Sequence, residues 1–156
     1  MNKEVPVEDN SPVGIKEPVE LKSPENAKRP ARVKRLIVDM DNTISRNLAG
    51  DYATAEPVVP VIRQLQYMKS QGFEIVIFSS RNMRTYDGCI GKINANTLPV
   101  MLDWLKRHDV PFDEIYVGKP WCGQEGFYVD DRAVRPREFC EKSLDELEDL
   151  MRRDRL

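Results

Sequence analysis

From Arg35 onward, short continuous apolar runs alternate with stretches of helical periodicity. Residues 36–40 (LIVDM) and 74–80 (EIVIFSS) are rich in β-branched and aromatic side chains and are of strand length. That is the pattern of parallel strands covered on both faces, and the first run is expected to be the central strand. Between them Val58, Val61, Ile62, Leu65 and Met68 recur on one helical face, and Gly72 stands where a helix C-terminus is expected. This first helix is expected to begin near Glu56. Leu98, Met101, Leu102 and Leu105 predict another helix, with Pro99 accommodated in its first turn. Residues 114–118 (EIYVG) read as a third strand and residues 127–131 (FYVDD) as a fourth. Ser143 and Glu146 at capping-box spacing, followed by Leu147, Leu150 and Met151, predict a closing amphipathic helix. Strands alternating with helices indicate a right-handed, mostly parallel α/β sheet flanked by helices.

Residues 1–33 depart from this pattern. Prolines stand at positions 6, 12, 18, 24 and 30, and no aromatic residue is present to anchor a core. Such a segment buries too little apolar surface to offset the entropy of ordering it, so it reads as a disordered or extended Pro-rich tail, with a docking peptide as one use. Residues 34–156 then form the single folded domain expected of 156 residues. A formal charge of −2 provides no broad electropositive face, so nucleic acid is not an expected partner and any phosphate must be recognised locally. The three cysteines, Cys89, Cys122 and Cys140, have no metal-site or disulfide spacing and read as reduced thiols. No stretch approaches the roughly 18 apolar residues of a membrane span, and a cytoplasmic location without membrane contact is expected.

The chemistry gathers at the predicted strand ends, where such sheets bind their ligands. The first run ends at Asp39, Asp41 and Thr43, the second at Ser79, Ser80 and Arg81, the third at Gly118 and Lys119, and the fourth at Asp130 and Asp131. Four carboxylates in one cleft raise each other's pKa unless a cation compensates, and an all-oxygen set of this kind suits Mg²⁺. Lys119 adds a fixed positive charge. Such a site would hold a dianion beside a carboxylate nucleophile. Taken singly, the Asp-x-Asp pair and the Asp130–Asp131 pair read equally as turns, and Lys119 as a surface lysine; their joint placement favours the functional reading.

These residues resemble the four motifs of the haloacid dehalogenase (HAD) superfamily: DMDNT the first, Ser79 the second, Lys119 the third and the pair Asp130–Asp131 the fourth. The segments SSRNMRTYDGCIGKINANTLP and VGKPWCGQEGFYVDDRAVRP are similar to its small capsule-biosynthesis phosphatases. Asn42 stands where many relatives have glycine, which suits a left-handed backbone there. The resemblance implies a Rossmann-like HAD fold and a Mg²⁺-dependent phosphomonoesterase. Asp39 would be the nucleophile and Asp41 the acid and base, while Ser79 and Lys119 would hold phosphoryl oxygens. The metal would be held by Asp39, the Asp41 backbone carbonyl and Asp131, with Asp130 behind. Thr43 would support the loop.

Only about thirteen residues separate Thr43 from the first predicted helix and about fifteen follow Arg81, so no sizeable cap domain is expected. The open site would accept a large substrate or be closed by a second copy of the chain. Ser80 joins Arg81, Asn82 and Arg84 of the loop 81–94 as substrate-binding residues, with Tyr86 and Lys92 in the same loop, a set suited to a sugar or polyol phosphate. A solvated loop with internally paired arginines is the alternative. Arg132 and Arg135 are expected to pair with Asp130 or Asp131, His108 to take a charged or capping role at a helix end, and Trp121 and Cys122 to wall the cleft. The leading expectation is a small phosphorylated metabolite as substrate. A nucleic-acid end phosphatase and a non-catalytic scaffold that recruits partners through its tail are the competing readings.

Overall fold

The computed structural model describes residues 34–46 and 51–155; the tail reading for residues 1–33 lies outside them. Strands β1 (Arg35–Val38), β4 (Glu74–Ser79) and β5 (Glu114–Val117) form a parallel sheet in the order β1-β4-β5. Two further strands, β2 (Ser45–Arg46) and β3 (Glu56–Pro57), make a small antiparallel pair. β4 is the middle strand, and Ile75, Val76 and Ile77 within it are buried. The register sets Val38 beside Ile77 and Ser79 beside Val117, so the three strands reach the same edge together. At the opposite edge the guanidinium of Arg35 bridges Glu74 and Glu114, one charge from each strand.

Helix α1 (Val59–Ser70) buries Val61, Ile62, Leu65 and Met68, the expected face, and carries Pro60 in its first turn. It ends where Gly72, at φ 83°, lets its own N–H reach Lys69 O and the N–H of Phe73 reach Met68 O, both at 3.1 Å. This is the Schellman closure that a glycine at that position predicts. Helix α2 (Ile90–Asn96) buries Ile93, and α3 (Leu98–Arg107) buries Met101, Trp104 and Leu105. The indole of Trp104 donates to the Ala55 carbonyl at 2.8 Å, so the largest core side chain has no unpaired polar atom. Helices α4 (Pro136–Glu141) and α5 (Leu144–Arg153) close the chain, and Phe139 and Cys140 pack on the core beside α1.

Three expectations need correction. Residues 127–131 form no strand: they make no ladder with β1, which therefore lies at the edge of the described sheet and is not central. The composition favours a strand, but pairing decides, and this run lies between local turns that compete with it. A Cβ at Gly126 would collide with the Cys122 carbonyl oxygen, a close approach only glycine permits, and the Asp130 carboxylate accepts from the Arg132 N–H at 2.7 Å. Phe127 and Val129 are left exposed. Glu56 does not open a helix but pairs with Arg46 across β2 and β3. The loop expected to run to Asn94 ends earlier, because α2 begins at Ile90. No helix among the described residues is long and apolar enough to cross a membrane.

Candidate active site

The loop after β1 is built around buried anchors. Met40 and Ile44 are fully buried, each worth about 1.5–3 kcal/mol of apolar transfer, and this alternation leaves Asp39 and Asp41 at the sheet edge. The Met40 carbonyl accepts from the N–H groups of Ile44 and Ser45 at 3.1 and 3.0 Å and from the Ser45 hydroxyl at 3.1 Å. Asn42 turns the chain at φ 59°, the left-handed conformation that its type tolerates.

Around this loop the structure brings Lys119, Ser79 and Arg81 to the two aspartates. Gly118, at φ 87°, swings the chain out of β5, and the N–H of Lys119 donates to the Ser79 carbonyl at 3.2 Å. Its Nζ then lies 3.0 Å from Oδ1 of Asp39, both side chains being largely covered. The Thr43 hydroxyl approaches Oδ2 of Asp39 at 3.4 Å, and so steadies the carboxylate as well as the loop. Ser79 is buried, and its Oγ accepts from the Arg81 N–H at 3.0 Å, leaving the hydroxyl proton free to donate.

The side chains expected to bind substrate divide. Arg81 has no exposed side-chain surface: its Nη2 donates to Asp41 Oδ1 at 2.6 Å and to Ser45 Oγ at 3.2 Å, so it cannot also offer a fork to a ligand. Asn82 is consumed internally, donating to Thr85 Oγ1 at 3.1 Å and accepting from Thr97 Oγ1 at 2.9 Å. Arg81 is thereby turned toward Asp41 and away from the surface, while Asn82, half-buried, is engaged by Thr85 and Thr97. Ser80 is half-buried, whereas Arg84 is exposed with its guanidinium 5.6 Å from the Trp121 ring centroid.

Asp130 and Asp131 are not brought to Asp39. Both are exposed; Asp131 faces Arg155 at 3.6 Å, and Asp130 caps the backbone of Arg132 without engaging its guanidinium. Among the described residues no group of three His, Cys, Asp or Glu side chains is placed to hold a metal. Asp39 and Asp41 each face one basic side chain, Lys119 and Arg81 respectively. Of the four expected carboxylates only Asp39 and Asp41 therefore meet at the strand ends, and the physical reason is the turn that keeps residues 127–131 out of the sheet.

Two aromatic residues enter that sequence reasoning missed. The Tyr128 ring lies 4.3 Å from Lys119 Nζ, and its hydroxyl donates to the Pro120 carbonyl at 2.6 Å. Burial, followed by the neighbouring Cys122, pushes its phenol pKa up. The Tyr52 ring stacks on Arg81 at 4.1 Å, and burial, then the charge of Asp41, pushes its pKa up too. Tyr52 carried one signal, an aromatic in an otherwise small and polar stretch; Tyr128 was hidden inside the run read as a strand. His108 is the C-cap residue of α3, as expected, with its ring 4.5 Å from that of Trp104, and burial followed by Arg107 lowers its pKa. Cys89 and Cys122 are exposed free thiols, and Cys140 is a half-buried one.

A crystal structure of a target protein from Vibrio cholerae is 52% identical to this chain, with a TM-score of 0.78 over 79% of this chain and 100% of that one. The chain belongs to that protein's family. The Vibrio cholerae protein is matched along its whole length, so its fold is the fold described above. A chain of a Pnkp1/Rnl/Hen1 complex is 18% identical, covering 90% of this chain and 46% of its own, but its TM-score of 0.45 is too low to bear on the fold. No family model and no curated protein matches.

Proposed function

We propose that the chain is a HAD-superfamily phosphomonoesterase acting through an aspartyl-phosphate on a sugar phosphate or related small metabolite. The observation that carries this reading is the 3.0 Å contact between Lys119 Nζ and Asp39 Oδ1, made across the ends of β5 and β1 with Asp41 and Ser79 alongside. A lysine from one strand end against a carboxylate from another supplies a nucleophile and a cation for the phosphoryl oxygens at one point. In the first step an Asp39 oxygen attacks phosphorus, the ester P–O bond breaks, and the Asp41 carboxyl gives its proton to the leaving oxygen. In the second, the Asp41 carboxylate takes a proton from water as that water attacks phosphorus, the Asp39–phosphorus bond breaks, and inorganic phosphate leaves. Lys119 and the Ser79 hydroxyl hold the phosphoryl oxygens throughout.

Mg²⁺ dependence is part of the proposal on the strength of the motif resemblance and not of the donor geometry, so neither step is routed through a metal. Between Thr43 and α1 the described residues hold only the β2–β3 pair and a short turn at Tyr52–Thr54, and this supports the reading of a site without a sizeable cap. The test is phosphate release across a panel of sugar phosphates with Mg²⁺ present. The wild-type chain is expected to turn over at least one of them and the Asp39→Asn variant none; equal release by the two proteins, or none by either, defeats the reading.

A further inference from the structure

Arg81 stands out among the charged residues. Its side chain is fully buried, and its Nη1 has no hydrogen-bond partner among the described residues. A buried guanidinium with an orphaned nitrogen is costly, and a residue serving packing alone would be expected to satisfy it. What it retains at that cost is a defined grip on Asp41. Nη2 donates to Oδ1 at 2.6 Å and Nε at 3.2 Å, while Oδ2 receives only the longer Nε contact at 3.3 Å. The guanidinium is itself fixed from two further sides, by the Ser45 hydroxyl at 3.2 Å and by the Tyr52 ring stacked at 4.1 Å. Ser45 belongs to the same loop as Asp41, and its own hydroxyl is anchored on the Met40 carbonyl.

We infer that Arg81 is a positioning residue for proton transfer: it occupies Oδ1 of Asp41 and so selects Oδ2 as the oxygen that carries the proton to the leaving group. Arg81 touches no substrate in this role; it acts through Asp41, and Tyr52 and Ser45 hold it in place. The inference rests on the phosphatase reading above. A planar fork is needed, because an ammonium in its place would satisfy the charge without separating the two oxygens.

The test exploits the leaving group. An alkyl phosphate leaves as a strongly basic alkoxide and needs the proton, whereas the nitrophenolate of p-nitrophenyl phosphate leaves without one. The Arg81→Lys variant is expected to lose about 100-fold in kcat/KM on a sugar phosphate, the scale of general acid catalysis, and no more than about tenfold on p-nitrophenyl phosphate. Tyr52→Leu, which leaves the ion pair but removes the face behind it, is expected to shift the same ratio in the same direction by a smaller factor. Thermal unfolding of both variants separates lost fold from lost chemistry. An active wild type whose folded variants lose equally on the two esters overturns this inference and spares the phosphatase reading. A wild type inactive on both esters overturns the two together.

Discussion

Asn42 and Gly118 sit at bends that few side chains accept, and both bends serve the same pair of groups. Asn42 at φ 59° turns the chain just past Asp41, and Gly118 at φ 87° releases Lys119 from β5. Asn42→Ala is expected to lower stability by about 1 kcal/mol and Asn42→Gly to leave it nearly unchanged, as measured by chemical denaturation. Lys119→Met removes the ammonium beside Asp39 and is expected to lower kcat by about 100-fold or more, with the fold retained by circular dichroism. At this scale Asp39, Asp41 and Lys119 were legible, because each follows directly from an apolar run that ends at the sheet edge. The role of Arg81 was not. Its partner lies 40 residues away, and whether an arginine after a strand meets solvent or a carboxylate depends on that long-range contact.

Among the elements, the closing helix shows local chemistry at its most readable. Ser143 caps α5 by accepting from the Glu146 N–H at 3.3 Å, and Glu146 returns the bond to the Ser143 N–H at 2.7 Å. Ser143→Ala is expected to cost about 1 kcal/mol in denaturant unfolding. Those bonds from Ser143 hold the Glu146 carboxyl below its ordinary pKa of 4.5. A lowered folded pKa means that its stabilisation is present above that value and fades as pH falls through the folded one, so the cap of α5 should weaken on acidification below about pH 4.5. Asp113 behaves likewise. Lys69 and then the Ile75 N–H lower its pKa from 3.8, and the carboxylate ties the start of β5 to β4 through a 2.8 Å bond to that N–H. Urea midpoints between pH 3 and pH 7 test both, and Asp113→Asn is expected to flatten part of the dependence. Helices α1, α3 and α5 were legible because their signals, periodic apolar positions and caps, lie within a few residues. The run 127–131 was misread because strand composition does not specify a neighbour, and Gly126 and Asp130 turn it away locally.

Across the whole molecule, three parallel strands carry their carboxyl ends to one edge, and the candidate chemistry lies there. The parallel α/β class was legible from alternation alone, while the strand count and the central position of β4 depend on pairings between residues far apart in sequence. The charge balance at the edge was also beyond a sequence reading: four converging carboxylates were expected, and the structure gathers two with two cations. The Vibrio cholerae protein is matched whole while covering 79% of this chain, so the fold does not require every residue present here. Because residues 1–33 carry too little apolar surface to join a core, a chain beginning at Lys34 is expected to keep both its unfolding midpoint and its rate of phosphate release.

The central claim is that Asp39 becomes phosphorylated during turnover. Acid quenching of the wild-type chain during steady-state hydrolysis, followed by peptide mass spectrometry, tests it most directly. The account predicts a phosphoryl adduct on the peptide that contains Asp39, at the Asp39 side chain. Turnover with that peptide unmodified and the adduct on another residue would contradict it.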